Sequence, residues 1–197
     1  LLKIDSVHGD FPGTIKVDEE NLALIINGRP VYFIPAPDPT KADYTAYGIS
    51  KALLIDNSGA FRDDTALSKH LEGKGVDKVL LTAPGKGVPN IVHGVNQNNI
   101  GKKDRIISAA SCTTNAISPV LKVVNDHFGI ERGHLETIHA YTNDQNLVDN
   151  MHSKYRRGRA AAMNMVITET GAGKAVDKCI PGLGEKLTSS AIRVHVP

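Results

Sequence analysis

Three short apolar runs, each closing on turn-forming or reactive residues, constrain this chain more than anything else in it. Lys51 to Asp56 ends in Asn57-Ser58-Gly59, Lys78 to Leu81 ends in Thr82-Ala83-Pro84-Gly85, and Ile106 to Ala110 ends in Ser111-Cys112. Between the first two lies a polar-faced segment, Asp64 to Leu71, that suits a helix. Strand, helix and strand joined by short loops predict a mostly parallel sheet. Open sheets of that kind bind ligands beyond the carboxyl ends of their strands. There is no GxGxxG and no GxxxxGK[ST] in the chain, so the strand ends alone argue only weakly for a dinucleotide.

Upstream, the first 35 residues read as short strands and turns. Leu22 to Ile26 and Val31 to Ile34 flank Asn27-Gly28-Arg29-Pro30, a hairpin signal. Pro35, Pro37 and Pro39 then enforce an extended connector. Downstream, Ile117, Val120, Leu121, Val124 and Phe128 recur at helical spacing and Gly129 marks the stop. That helix begins at Cys112, with Pro119 expected in its first turns, where a missing amide costs least. Leu135 to Tyr141 reads as a strand, and Asn143 to Arg159 as a long ordered loop or a short helix with surface loop. Ala160 to Ile167 is left between helix and strand. The expected organisation is an α/β domain over 1–111 and an α+β domain over 112–197.

The 197 residues are 41% hydrophobic, enough for one domain or parts of two, and no run of 18 apolar residues spans a membrane. No signal peptide is visible. With 23 basic and 21 acidic side chains the formal charge is +2, which gives no general nucleic-acid footprint. Cys112 and Cys179 form no CxxC pair. A chain of this size needs no disulfide, so a reducing, cytoplasmic setting is expected, with both thiols free.

A thiol at a helix N-terminus lies beside unpaired amides and the positive end of the dipole, and both favour the thiolate. Ser111, Thr113, Thr114 and Asn115 crowd polar groups around Cys112, unlike the surroundings of a core-filling cysteine. Cys179 sits in an ordinary mixed segment and is read as inert. His139, near the end of a strand, is a candidate to take the Cys112 proton, although spacing alone does not select it among eight histidines. Thr170-Gly171-Ala172-Gly173 offers a hydroxyl and glycine-permitted backbone donors to an oxyanion. Lys154, Arg156, Arg157 and Arg159 are read as a solvated or subunit-facing surface. Arg193 interrupts an apolar strand, so it either pairs internally or points its fork into a site.

The segment Ala110-Ser111-Cys112-Thr113-Thr114-Asn115 resembles the active-site signature of phosphorylating glyceraldehyde-3-phosphate dehydrogenases. The resemblance continues, in family order, through residues 2–9, His139-Ala140-Tyr141-Thr142, Arg157-Gly158-Arg159-Ala160-Ala161, residues 170–176 and Ile192-Arg193-Val194. It implies the central portion of such an enzyme, lacking both termini: a partial Rossmann-type nucleotide-binding domain followed by a partial α+β catalytic domain. It implies that Cys112 attacks the aldehyde of glyceraldehyde 3-phosphate and that His139 is the base. A thiohemiacetal and then a thioester would form, and inorganic phosphate would release 1,3-bisphosphoglycerate. Thr142, Asp144 and Arg193 match positions serving the substrate phosphate, Asp144 by orienting Arg193. Ser111, Thr113, Thr170 and Gly171 match the inorganic-phosphate site. Asn57, Ser58, Gly59 and Phe61, with Thr82 and Ala83, match stretches along the cofactor, taken as NAD, with NADP left open. The basic stretch resembles a loop near a neighbouring subunit, which implies a homotetramer, with no membrane and no nucleic acid as main partner. Three departures stand out: Ala116 replaces a frequent second cysteine, Glu169 stands where Ser or Thr is common, and His195-Val196 replaces Pro-Thr. Two other readings stay open: erythrose-4-phosphate dehydrogenase, and a catalytically silent module.

Overall fold

The computed structural model describes all 197 residues. Its first part is built of small antiparallel pieces. β1 (Ile4–Asp5) pairs with β2 (Gly9–Asp10), and β3 (Ile15–Asp18), β4 (Ala23–Ile26) and β5 (Arg29–Tyr32) form a meander. The expected hairpin is there, but its turn is two residues long, because Ile26 pairs with Arg29. Asn27 and Gly28 both take positive φ, 50° and 80°, the geometry that matches the twist of paired strands. Pro30 is thereby inside β5, which is tolerated because β5 is an edge strand of its sheet. The proline connector that follows is mostly irregular, and Pro39 opens a short 3-10 turn capped by Asp38.

A Rossmann-like parallel sheet occupies the middle of the chain. β6 (Ala52–Asp56), β7 (Val76–Leu81) and β8 (Ile106–Ser108) lie side by side, all parallel. α1 (Asp64–Ser68) and the 3-10 turn after it cover one face. Leu67, Val79, Leu81, Val88 and Ile106 are buried between these layers, with Leu54, Phe61 and Leu71 packed around them. The other face is open: Leu53 and Ile55, which alternate with Leu54 along β6, are exposed.

α2 (Cys112–Phe128) leaves the end of β8 and leads to an α+β region. There β9 (Gly133–Ala140) and β11 (Leu187–Val194) run parallel in an eight-residue register, and β10 (Val166–Thr168) pairs antiparallel with β11. α3 (Ala172–Val176) lies between β10 and β11 in sequence. Residues 143–159 are loop with one 3-10 turn, Tyr155–Gly158, and the ambiguous segment 160–167 resolves as turn followed by β10. Pro119 is the eighth residue of α2, not in its first turn. The helix runs on without the amide that would have bonded the Asn115 carbonyl. The apolar spacing of α2 marks a real helix, yet Val120, Val124 and Phe128 on it are exposed.

Buried Asp56 ends β6 and ties two strand-end loops together. Its carboxylate accepts from the Ser58 amide (2.8 Å) and hydroxyl (2.7 Å) and faces His70 Nε2 at 3.2 Å. Its carbonyl accepts from the Thr82 amide (3.0 Å) and Thr82 Oγ1 (3.2 Å). Burial pushes the Asp56 carboxyl up, but the Ser58 and His70 hydrogen bonds outweigh it and hold the group below its ordinary range. Because the folded-state value is depressed, this contribution to stability is complete above about pH 4 and is lost as the pH falls through the folded value. Replacing Asp56 by Ala should destabilise the fold by about 1–3 kcal/mol at neutral pH. The loss relative to wild type should shrink in acid, as measured by denaturant titration at both pH values.

Candidate active site

The turn that delivers Cys112 is tight. Ala110, buried, takes φ 58°, a left-handed conformation unusual for a residue with a Cβ. It swings the chain from β8 into α2. Ser111 caps the helix, its Oγ accepting from the Thr114 amide at 3.0 Å. The Asn115 side chain donates to the carbonyls of Ala109 (2.7 Å) and Ser111 (2.8 Å), holding the same turn from outside. With the Thr114 amide taken by Ser111 Oγ and the Asn115 amide by the Ser111 carbonyl, those of Cys112 and Thr113 have no intrahelical partner. Cys112 itself is exposed.

His139, one residue before the end of β9, meets this thiol. Its Nε2 lies 3.4 Å from Cys112 Sγ, and its Nδ1 lies 2.7 Å from the Ala140 carbonyl. A carbonyl only accepts, so Nδ1 carries the proton and the neutral ring presents a bare Nε2 to the sulfur. The arrangement is a thiol with a base in reach and a second group fixing the base. Of the eight histidines, this is the one the fold sets against Cys112.

The rest of the site comes from the sheet. His139 pairs in register with Arg193, and Thr137 pairs with Ala191, which also pairs with Thr168. All five side chains line one cavity of about 460 Å3 together with Ser111, Cys112, Thr113, Thr170 and Gly171. Thr137 Oγ1 is buried there without a partner. Ile138 and Ile167, on the opposite face, are exposed.

Thr142 and Asp144 lie just outside this cavity. Arg193 Nη1 donates to Thr142 Oγ1 at 2.9 Å and to Gln145 Oε1 at 3.5 Å. Burial lowers the Arg193 pKa from its ordinary value, with the Arg157 charge acting in the same direction. Asp144, expected to orient Arg193, has its carboxylate on Arg157 Nη1 instead. Arg157 is the residue the sequence reading missed. It was expected at a solvated or subunit-facing surface, yet it is buried, donates to Thr168 Oγ1 (2.9 Å) and the Glu169 carbonyl (3.4 Å), and lines the cavity. Nothing in the local pattern separates it from Arg156 or Arg159, since its partners lie 11 to 13 residues away. Lys174 and Lys178 also line the cavity, and Lys178 Nζ donates to the Gly85 carbonyl at 3.0 Å.

The six other predicted residues lie elsewhere. Asn57, Ser58 and Gly59 follow β6 and Thr82 and Ala83 follow β7, so they share with Cys112 the carboxyl edge of the parallel sheet. Asn57, Ser58, Gly59 and Thr82 are exposed and free to meet a ligand, while Phe61 packs against the core and edge-on to His70. Cys179 is buried beside Val92 and Ala110, burial raises its pKa, and its Sγ lies 3.5 Å from the Asn90 carbonyl. It is a packing residue, as the sequence suggested. No group of three or more His, Cys, Asp or Glu side chains is placed to hold a metal, and no helix is long and apolar enough to cross a membrane.

Comparison with known proteins adds an independent line. Residues 111–197 match the family model described as glyceraldehyde 3-phosphate dehydrogenase, C-terminal domain. A glyceraldehyde-3-phosphate dehydrogenase-like protein of Pseudomonas aeruginosa (strain UCBPP-PA14) is 60% identical over all of this chain and 43% of its own length. Chloroplastic glyceraldehyde-3-phosphate dehydrogenase A of Scenedesmus vacuolatus is 43% identical over the whole chain and 62% of its own length. Glyceraldehyde-3-phosphate dehydrogenase 1 of Bacillus subtilis (strain 168) is 42% identical, again over the whole chain and 58% of its length. The chain spans about half the length of the curated relatives it matches. From its first residue to its last, the chain is similar in sequence to the glyceraldehyde-3-phosphate dehydrogenases, over a part of their length.

Proposed function

We propose that the protein oxidises glyceraldehyde 3-phosphate with NAD and phosphate, Cys112 serving as nucleophile and His139 as base. The observation that carries this reading is the 3.4 Å contact between Cys112 Sγ and a bare His139 Nε2 in a cavity lined by basic groups. His139 takes the thiol proton, the sulfur adds to the aldehyde carbon, and a thiohemiacetal forms. The free Cys112 amide and the imidazole face the oxygen on which charge develops. A bound nicotinamide dinucleotide would supply the acceptor for the hydride whose departure, with the hydroxyl proton passing to His139, turns the thiohemiacetal into a thioester. The exposed turn Asn57-Ser58-Gly59 and the turn of exposed Thr82 and half-buried Ala83 suit such a group, because both open onto the sheet edge from which Cys112 projects. Phosphate then attacks the thioester carbonyl, the C–S bond breaks, and the thiolate returns to Cys112.

The two phosphates are read onto two sets of groups. Arg193 and Thr142, hydrogen-bonded to each other, serve the substrate's own phosphate. Ser111, Thr113, Thr170 and Gly171 serve the incoming one. Arg157, anchored by Asp144 and Thr168, contributes its fork from the cavity wall. The exposed Ile138 and Ile167 on the back of the sheet support a homo-oligomer.

The test is NADH formation from glyceraldehyde 3-phosphate, with and without phosphate. Turnover should rise with phosphate, vanish in Cys112→Ser, and fall about a hundredfold to ten-thousandfold in His139→Asn. Absence of any NADH from the intact wild-type protein would sink the reading. Arg157→Lys keeps the charge but not the planar fork. It should lower kcat/KM about tenfold, the worth of one charge-assisted hydrogen bond of roughly 1.5 kcal/mol.

A further inference from the structure

We propose that Glu169 determines which acceptor relieves Cys112 of its acyl group. Its carboxylate selects against dianionic phosphate and leaves the thioester open to water. This rests on the reading of Cys112 as the acylated nucleophile. Glu169 follows β10 and lines the Cys112 cavity. It also lines the two adjoining cavities, of about 360 and 540 Å3, so it stands on a wall common to all three. It is the single acidic side chain around the main cavity, whose other charged lining residues are Lys154, Arg157, Lys174, Lys178 and Arg193.

None of those cations neutralises it. Arg157 is committed to Asp144, and no Lys, Arg or His nitrogen lies within 4.0 Å of the Glu169 carboxylate. Its backbone is nonetheless fixed, because the Glu169 carbonyl accepts from Arg157 Nη2 at 3.4 Å. A full negative charge is therefore held next in sequence to Thr170 and Gly171, the groups read as receiving phosphate. Glu169 is exposed, so solvent and salt screen part of its charge, and the Coulomb repulsion that remains scales with the charge of the incoming ion. A phosphate dianion is penalised twice over, whereas water, being neutral, is not. Glu169 is next in sequence to Thr170, whereas Arg193 is reached across the β10–β11 pair and Thr142 lies outside the cavity, so the penalty falls on the acceptor more than on the substrate.

Both exits balance without a further oxidant or reductant. Attack by phosphate breaks the C–S bond, gives the acyl phosphate and returns the sulfur as thiolate, which His139 reprotonates. Attack by water breaks the same bond and gives the carboxylate, one proton and the Cys112 thiol. The carboxylate of Glu169 moves the ratio of these products toward the second.

The experiment uses the intact protein and compares wild type with Glu169→Gln and Glu169→Ser. Three quantities are read: KM for phosphate, the ratio of acyl phosphate to carboxylic acid formed, and the phosphate concentration that half-protects Cys112 from alkylation by iodoacetamide. Removing the charge should lower KM for phosphate and the half-protecting concentration about tenfold, raise the acyl-phosphate share, and move KM for the aldehyde far less. If phosphate binds both variants no better than wild type, the proposal is overturned. If KM for aldehyde falls as much as KM for phosphate, the charge acts on the whole cavity and the assignment to the acceptor is wrong. A wild type that forms no NADH would defeat the dehydrogenase reading instead. Alkylation protection by phosphate would still decide whether Glu169 repels the anion.

Discussion

A sulfur at the head of one helix and an imidazole at the tail of one strand meet at 3.4 Å, and the chemistry of the site follows from that contact. The two groups reach it by different routes. Cys112 arrives from a parallel sheet whose strands all end at the same edge, and His139 from a second sheet that shares no strand with the first. Neither sheet alone makes a nucleophile. A lone thiol at a helix start is an exposed side chain, and a lone histidine at a strand end is one of eight.

What keeps the contact in place is a set of small constraints on both sides. Ala110 accepts a left-handed φ, and the Ser111 cap and the Asn115 bonds fix the turn it makes. Beneath it, Ala110 packs with Cys179 and Val92, so a residue from the segment after α3 supports the turn before α2. On the other side, the Ala140 carbonyl fixes the His139 tautomer, and the long β9–β11 register places Arg193 beside it. Lys178 and Cys179 reach back to Gly85 and Asn90. The loops at the edge of the parallel sheet and the Cys112 cavity are thereby held as one surface.

Much of this was legible in the sequence. The three strand ends, the start of α2 at Cys112, the hairpin and the inert character of Cys179 all follow from local patterns: apolar runs, turn residues, helical spacing. The errors share one physical cause. Two residues of the hairpin turn belong to a strand because pairing extends as far as twist allows, and Pro30 is tolerated on an edge. Pro119 falls deeper in α2, as its eighth residue, because the helix runs on past the missing amide. Arg157 looked like its basic neighbours because the partners that bury it, Asp144 and Thr168, lie on other segments. The same applies to Asp144, which chose Arg157 over Arg193. Pairings of this kind are decided by how a loop folds over a sheet, and a linear pattern holds no record of them.

The most direct measurement is the alkylation rate of Cys112 at neutral pH, followed by mass spectrometry in wild type and in His139→Asn. With His139 Nε2 drawing the proton from the sulfur, Cys112 should react well ahead of buried Cys179, and loss of the imidazole should slow it by about tenfold or more. Equal rates for Cys112 in the two proteins would contradict the pairing on which the site is built.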